Sequence, residues 1–124
     1  MIQNKNFIFD FERLNVYLRA LEFTNKAFYI TKEFPQILQY SLGDQFRRAA
    51  LSICNNIAEG SGKQTKNAKI QFYGYSMDSA RECIPIISIV FKQNLIKSAD
   101  YDYFRQECKE ICNMLGGLIS AAKH

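Results

Sequence analysis

The sequence contains no tryptophan, two prolines, six glycines and one histidine, His124. With no histidine before the last residue, neither a Ser-His-Asp nor a Cys-His nucleophilic arrangement can be assembled inside a folded core. The Glu-x-x-His signature of di-iron bundles is missing for the same reason. Four cysteines occur, Cys54, Cys83, Cys108 and Cys112, with no C-x-x-C pair. Cys108 and Cys112 face the same way one helical turn apart, so a metal site would need Cys54 and Cys83 to complete it. Reduced core thiols are the expectation for a cytoplasmic bundle, and no metal or other cofactor is expected. The longest apolar run, Ile84 to Phe91, is interrupted by Ser88 and falls far below the roughly 20 residues that span a bilayer. No membrane association is expected. Lys5, Asp10, Glu12, Arg13 and Arg19 leave no hydrophobic leader near the start, so a cytoplasmic location is expected.

What the sequence does have is helical patterning. Of 124 residues, 48% are hydrophobic and 23% charged, enough for one globular domain that buries roughly two-thirds of its unfolded surface. We read residues 1–124 as a single domain with residues 1–10 as an N-terminal extension. From Phe11 to Phe34 there is no glycine or proline. Val16, Ala20, Phe23, Ala27, Ile30 and Phe34 follow steps of four and three, one face of a helix that Pro35 ends. Leu14, Tyr17, Leu18, Leu21 and Phe28 form a second apolar set on the same helix. A helix buried only in its own domain shows one stripe. Leu14, Leu18 and Leu21 are therefore the expected oligomer interface.

After a loop from Pro35 to Tyr40, Ser41 is the expected cap of a second helix, whose stripe is Leu42, Phe46, Ala49, Ile53 and Ile57. Gly60 is its expected left-handed terminus. Thr65 is the expected cap of a third helix with two apolar rows, Phe72 through Val90 and Tyr73 through Phe91. Pro85 should kink it, and an isolated strand over Ile86 to Val90 would have nothing to pair with. Ser98 is the expected cap of a fourth helix, with Phe104, Cys108, Ile111, Leu115, Leu118 and Ala122 inward. Gly116-Gly117 signals fraying or close contact. The expected fold is all-α, an antiparallel up-down-up-down four-helix bundle.

The most specific string is Phe46-Arg47-Arg48-Ala49-Ala50-Leu51-Ser52-Ile53-Cys54-Asn55-Asn56-Ile57-Ala58-Glu59-Gly60-Ser61-Gly62-Lys63. Arg48, Ser52, Asn55 or Asn56, and Glu59 recur at helical spacing as a polar row. The row is either a helix–helix seam, where Arg48 donates to Glu82 or Glu59, or an exposed binding surface. Gly60-Ser61-Gly62-Lys63 lacks the spacing and hydroxyl residue of a phosphate-binding loop, so nucleotide hydrolysis is set aside.

This string, with Ser79-Ala80-Arg81-Glu82-Cys83 and Phe34-Pro35, resembles the four-helix-bundle family encoded by intervening sequences in bacterial 23S ribosomal RNA genes. Members often carry a ribosomal-protein label. The matched positions are Arg47, Arg48, Ala49, Ser52, Asn56, Ile57, Ala58, Glu59, Gly60, Ser61, Gly62 and Lys63. The family has a small residue or proline where Cys54 stands and a glycine where Asp78 stands. The resemblance implies a non-enzymatic ring, a pentamer, with a role near nucleic acid. It also implies, by analogy with the accessory variability determinant of diversity-generating retroelements, a reverse-transcriptase-like protein partner.

Charge agrees in sign: 16 Lys and Arg against 12 Asp and Glu give +4. Lys63, Lys66 and Lys69 cluster with no acidic residue between Gly60 and Ile70, and Arg47 and Arg48 lie on the preceding helix. These five are the candidate contacts to RNA or DNA. A protein–protein scaffold of unknown role is the alternative, in which the lysines are a solvated helix start.

Overall fold

Helices form where the sequence is free of breakers, and the computed structural model describes them over residues 7–124. The first six residues of the extension, Lys5 among them, lie outside the described residues. Four long helices carry the fold: α1 (Asn15–Thr31), α3 (Asp44–Ser61), α4 (Lys66–Lys92) and α5 (Ser98–Lys123). The one-turn α2 (Gln36–Leu38) runs through a π-helical turn, Gln39–Gly43, into α3. Helix α3 packs on α1 and α4, α4 packs on α3 and α5, and α5 returns to α1. This is the antiparallel up-down-up-down four-helix bundle, with no strand among the described residues.

Phe23 from α1, Phe46 from α3 and Phe104 from α5 meet edge to face at the centre, with ring centroids 5.0–6.3 Å apart. Each such pair contributes about 0.5–1.5 kcal/mol beyond area burial. Ala80, Cys83, Ile87 and Val90 of α4 close the fourth side. Both apolar rows of α4 pack against α3 and α5 of the same chain, with Phe72, Met77, Ile84 and Phe91 half-buried. Thr24 and Thr31 join the buried face of α1 because their hydroxyls find acceptors: Thr24 donates to the carbonyls of Ala20 and Ala50, and Thr31 to that of Phe28.

Several boundaries differ from the sequence reading. A 3-10 turn, Asp10–Arg13, precedes α1, Leu14 is extended, and Phe11 lies edge-on to the Tyr17 ring with centroids 4.9 Å apart. Helical structure resumes directly after Pro35. Ser41 therefore lies inside the π turn, where its hydroxyl meets the Leu38 carbonyl instead of capping a helix. The Gln39 amide donates to the carbonyls of Thr31 and Phe34, supplying the partners that the end of α1 lacks. Thr65 does cap α4, accepting from the Ala68 amide at 3.1 Å. Helix α4 continues through Pro85 to Lys92. Ser98 is the first residue of α5 rather than its cap.

Gly60 is helical and buried, not left-handed, and α3 continues to Ser61. Its function is close approach. A Cβ there would stand 2.9 Å from the Tyr73 ring and 3.2 Å from the Phe72 Cβ. Gly117, by contrast, has open space around it. Replacing Gly60 with alanine should therefore destabilise by about 1–3 kcal/mol through overpacking. Gly117→Ala should instead stabilise by up to about 1 kcal/mol through helix propensity. Urea unfolding midpoints of the two variants check this, and equal shifts of one sign would refute it.

Candidate nucleic-acid interface

The α3 polar row divides when the helices pack. Ser52 and Asn56 face α4 and are half-buried: the hydroxyls of Ser79 and Ser52 meet at 2.8 Å, and the Asn56 amide donates to the Ser52 carbonyl and hydroxyl. Ser76 adds a hydrogen bond to the Ile53 carbonyl at 2.8 Å. Arg48 and Glu59 point outward. Arg48 donates to Asp44 one turn earlier at 2.8 Å, not to Glu59 or Glu82, and its side chain is 80% exposed. The reason is register: an i,i+4 carboxylate is within reach from the same helix, whereas Glu82 is exposed on α4.

The five candidate cations are not one patch. Arg47 is half-buried at the α1–α3 turn, with one guanidinium nitrogen on the Gln39 carbonyl at 2.6 Å and another on its side-chain oxygen at 3.2 Å. It braces the π turn. Lys63, Lys66 and Lys69 do come together, at the opposite end of α3. Lys63 pairs with Glu59 at 3.2 Å and lies over the Phe72 ring, 4.8 Å from its centroid. Lys69 donates to the Ser61 carbonyl at 2.9 Å, satisfying the last turn of α3 from the first turn of α4. Lys66 is exposed at the start of α4. Surface pairs such as Lys63–Glu59 are worth little and are screened by salt, so they yield readily to phosphate.

The expected interface residues also separate. Leu14 is half-buried against its own core, whereas Leu18 and Leu21 remain 48% and 46% exposed. Phe28 and, on α3, Leu51 are exposed too. Thr24 and Cys54 meet at 3.3 Å across the α1–α3 seam. Leu21 and Leu51 each lie three residues before that contact, on the outer flank of the same seam. An apolar edge therefore runs along α1 and α3.

The opposite edge, between α4 and α5, is basic. A groove of about 770 Å³ opens there with Arg81 on α4 and Arg105 and Lys109 on α5. Sequence inspection passed over these three because they are scattered in the chain. The available signal was the α5 heptad: Arg105, Lys109 and Cys112 recur at steps of four and three on one flank of the buried stripe.

The thiols divide as well. Cys54 is on the α1–α3 side, next to Thr24, while Cys83, Cys108 and Cys112 gather between α4 and α5. Among the described residues no three His, Cys, Asp or Glu side chains form a group suited to a metal ion. Hydrogen bonding to Cys108, together with burial, pushes the Cys83 thiol up. Burial likewise pushes up Cys54 and Cys112, the latter opposed by the nearby Arg81.

Taken together, fold and surface define an all-helical bundle with an apolar edge, a basic groove on the other side and no metal-ligating group among the described residues. The chain belongs to the 23S rRNA-intervening sequence protein family, whose model matches residues 12–117. Its fold is also that of a protein of unknown function from the S23 ribosomal protein family of Bacteroides thetaiotaomicron VPI-5482. The two share 21% identity over 85% of this chain and 95% of that one, with a TM-score of 0.78. No curated protein matches the chain. No helix among the described residues is long and apolar enough to cross a membrane.

Because the accessible thiol, Cys112, has its ionisation pushed upward, its thiolate is scarcer near neutrality than that of an ordinary cysteine. Alkylation by iodoacetamide should be slow at neutral pH and accelerate as pH rises past the usual thiol range. Cys112 should react before the buried Cys54, Cys83 and Cys108. Peptide mass mapping across pH tests the order, and faster labelling of a buried thiol would contradict it.

Proposed function

We propose that this chain is a non-enzymatic homo-oligomer, closing as a ring of five, that binds RNA or DNA as a ribosomal-RNA-associated accessory protein in the bacterial cytoplasm. The observation that carries the reading is the apolar edge of Leu18, Leu21, Phe28 and Leu51, left uncovered by the chain's own core. Exposed large apolar side chains gathered on one edge are what an interaction site presents. A ring built on it repeats each copy's +4 charge around one particle, turning a modest surplus into a strong field for phosphate. Lys63, Lys66 and Lys69 stand at the α3–α4 corner, clear of that edge. The family's name and the ribosomal label of its structural neighbour support the nucleic-acid association.

A second reading has its own observation. Lys63 and Lys69 already hold partners within the chain, which suits a protein–protein scaffold whose lysines brace a helix junction. Partner capture with and without nuclease treatment separates the two, since a scaffold keeps its partners after nuclease.

Light scattering at micromolar concentration should give a multiple of 14.4 kDa for the unaltered chain and a single 14.4 kDa particle for a Leu18→Asp, Leu21→Asp double variant. Affinity for a labelled structured RNA should fall linearly in a log–log plot against salt, by about 0.7–0.9 per phosphate contact. A monomeric unaltered chain, or affinity indifferent to salt, would defeat the proposal.

A further inference from the structure

We infer that the groove between α4 and α5 is a track for single-stranded nucleic acid, gripped by Arg81 on one wall and by Arg105 and Lys109 on the other. The inference rests on the nucleic-acid reading above but places the main contact away from Lys63, Lys66 and Lys69.

Register brings the three cations together. A Cβ at Gly116 would lie 3.8 Å from the Met77 methyl, which fixes how the antiparallel helices face each other. Four residues on from Met77 along α4 is Arg81, and four residues back from Gly116 along α5 is Cys112, so the two share one level of the groove. Lys109 and Arg105 follow at the next turns of α5. Lys123, fourteen residues on from Lys109, lies on the same side of α5 by helical phase, extending the positive line past the groove by about 21 Å at 1.5 Å per residue.

Charge is left over there. Among the described residues, the ion pairs use Arg19, Lys26, Arg48 and Lys63 as cations. None uses Arg81, Arg105 or Lys109, and Asp102 is the one carboxylate lining the groove. Three exposed cations against one anion in a concave site focus a positive potential and draw in a polyanion. The floor, with Ile84 and Cys112, is apolar. A simple anion gains nothing from such a floor, and a duplex keeps its bases stacked inside. An unpaired strand offers both a phosphate backbone for the rim and a free base face for the floor. At one end the Arg105 guanidinium rests over the Tyr101 ring, 5.4 Å from its centroid, a held cationic plane suited to stacking.

Fluorescence anisotropy with the full chain tests this, using labelled oligo(U) of about 12 nucleotides, a duplex of equal length and polyglutamate as competitor. Arg105→Gln with Lys109→Gln should weaken oligo(U) binding about tenfold or more and lower the log–log salt slope by about 1.4, two contacts at about 0.7 each. Lys63→Gln with Lys66→Gln should cost less. On the unaltered protein, oligo(U) should slow alkylation of Cys112, a readout that survives even if the variants misfold. Loss confined to the Lys63 and Lys66 variant, equal affinity for the duplex, displacement by polyglutamate at equal charge, or no protection of Cys112 would each overturn the groove assignment while leaving nucleic-acid binding intact. No binding of any nucleic acid at low salt would instead bring down the underlying reading.

Discussion

The close approach of α3 and α4 is the constraint on which the rest of the structure depends. Gly60 has no room for a methyl group against the Tyr73 ring, and along the same seam Ser79 meets Ser52 while Ser76 reaches the Ile53 carbonyl. Small residues permit this approach, and their hydroxyls answer the polar groups that the approach buries. Lys69 secures the corner by donating across it to the end of α3. Were the helices a methyl group further apart, the 2.8 Å contacts would open and buried hydroxyls would stand unpaired, at about 1–3 kcal/mol each.

That seam fixes the positions of the other two helices, and through them the chemistry of the two outer edges. Helix α1 lies along α3 and leaves its leucines facing outward, while α5 lies along α4 and leaves its arginine and lysine outward. Apolar and cationic surfaces therefore occupy opposite sides of one bundle. A closed ring pairs the apolar edge of each copy with a different face of the next, and the groove is open to a strand where that face is not the α4–α5 edge.

Much of the fold was legible because hydrophobic period and breakers act locally. The stripe Phe104, Cys108, Ile111 and Leu115 is buried as spaced, and Thr65 caps as its type suggests. Residues whose role depends on a neighbour in space were not legible. Gly60 reads as a terminus but serves as a clearance, because the ring that needs the space is thirteen residues away in Tyr73. Ser41 reads as a cap, yet Gln39 and Arg47 carry the backbone through that turn as a continuous helix. Arg47 and Arg48 are adjacent in the chain and look alike, but one braces a turn from a half-buried position and the other is solvated beside Asp44.

By itself the sequence determined the number and type of long helices, the faces they bury and the family to which the chain belongs, because these follow from spacing along one strand of residues. Only the tertiary structure decided that both rows of α4 pack within the chain, that Leu14 turns inward while Leu18 and Leu21 stay out, and that three scattered cations converge on one groove. Those outcomes depend on the rotation of each helix about its axis and on its register with the next, which packing sets and no local pattern encodes.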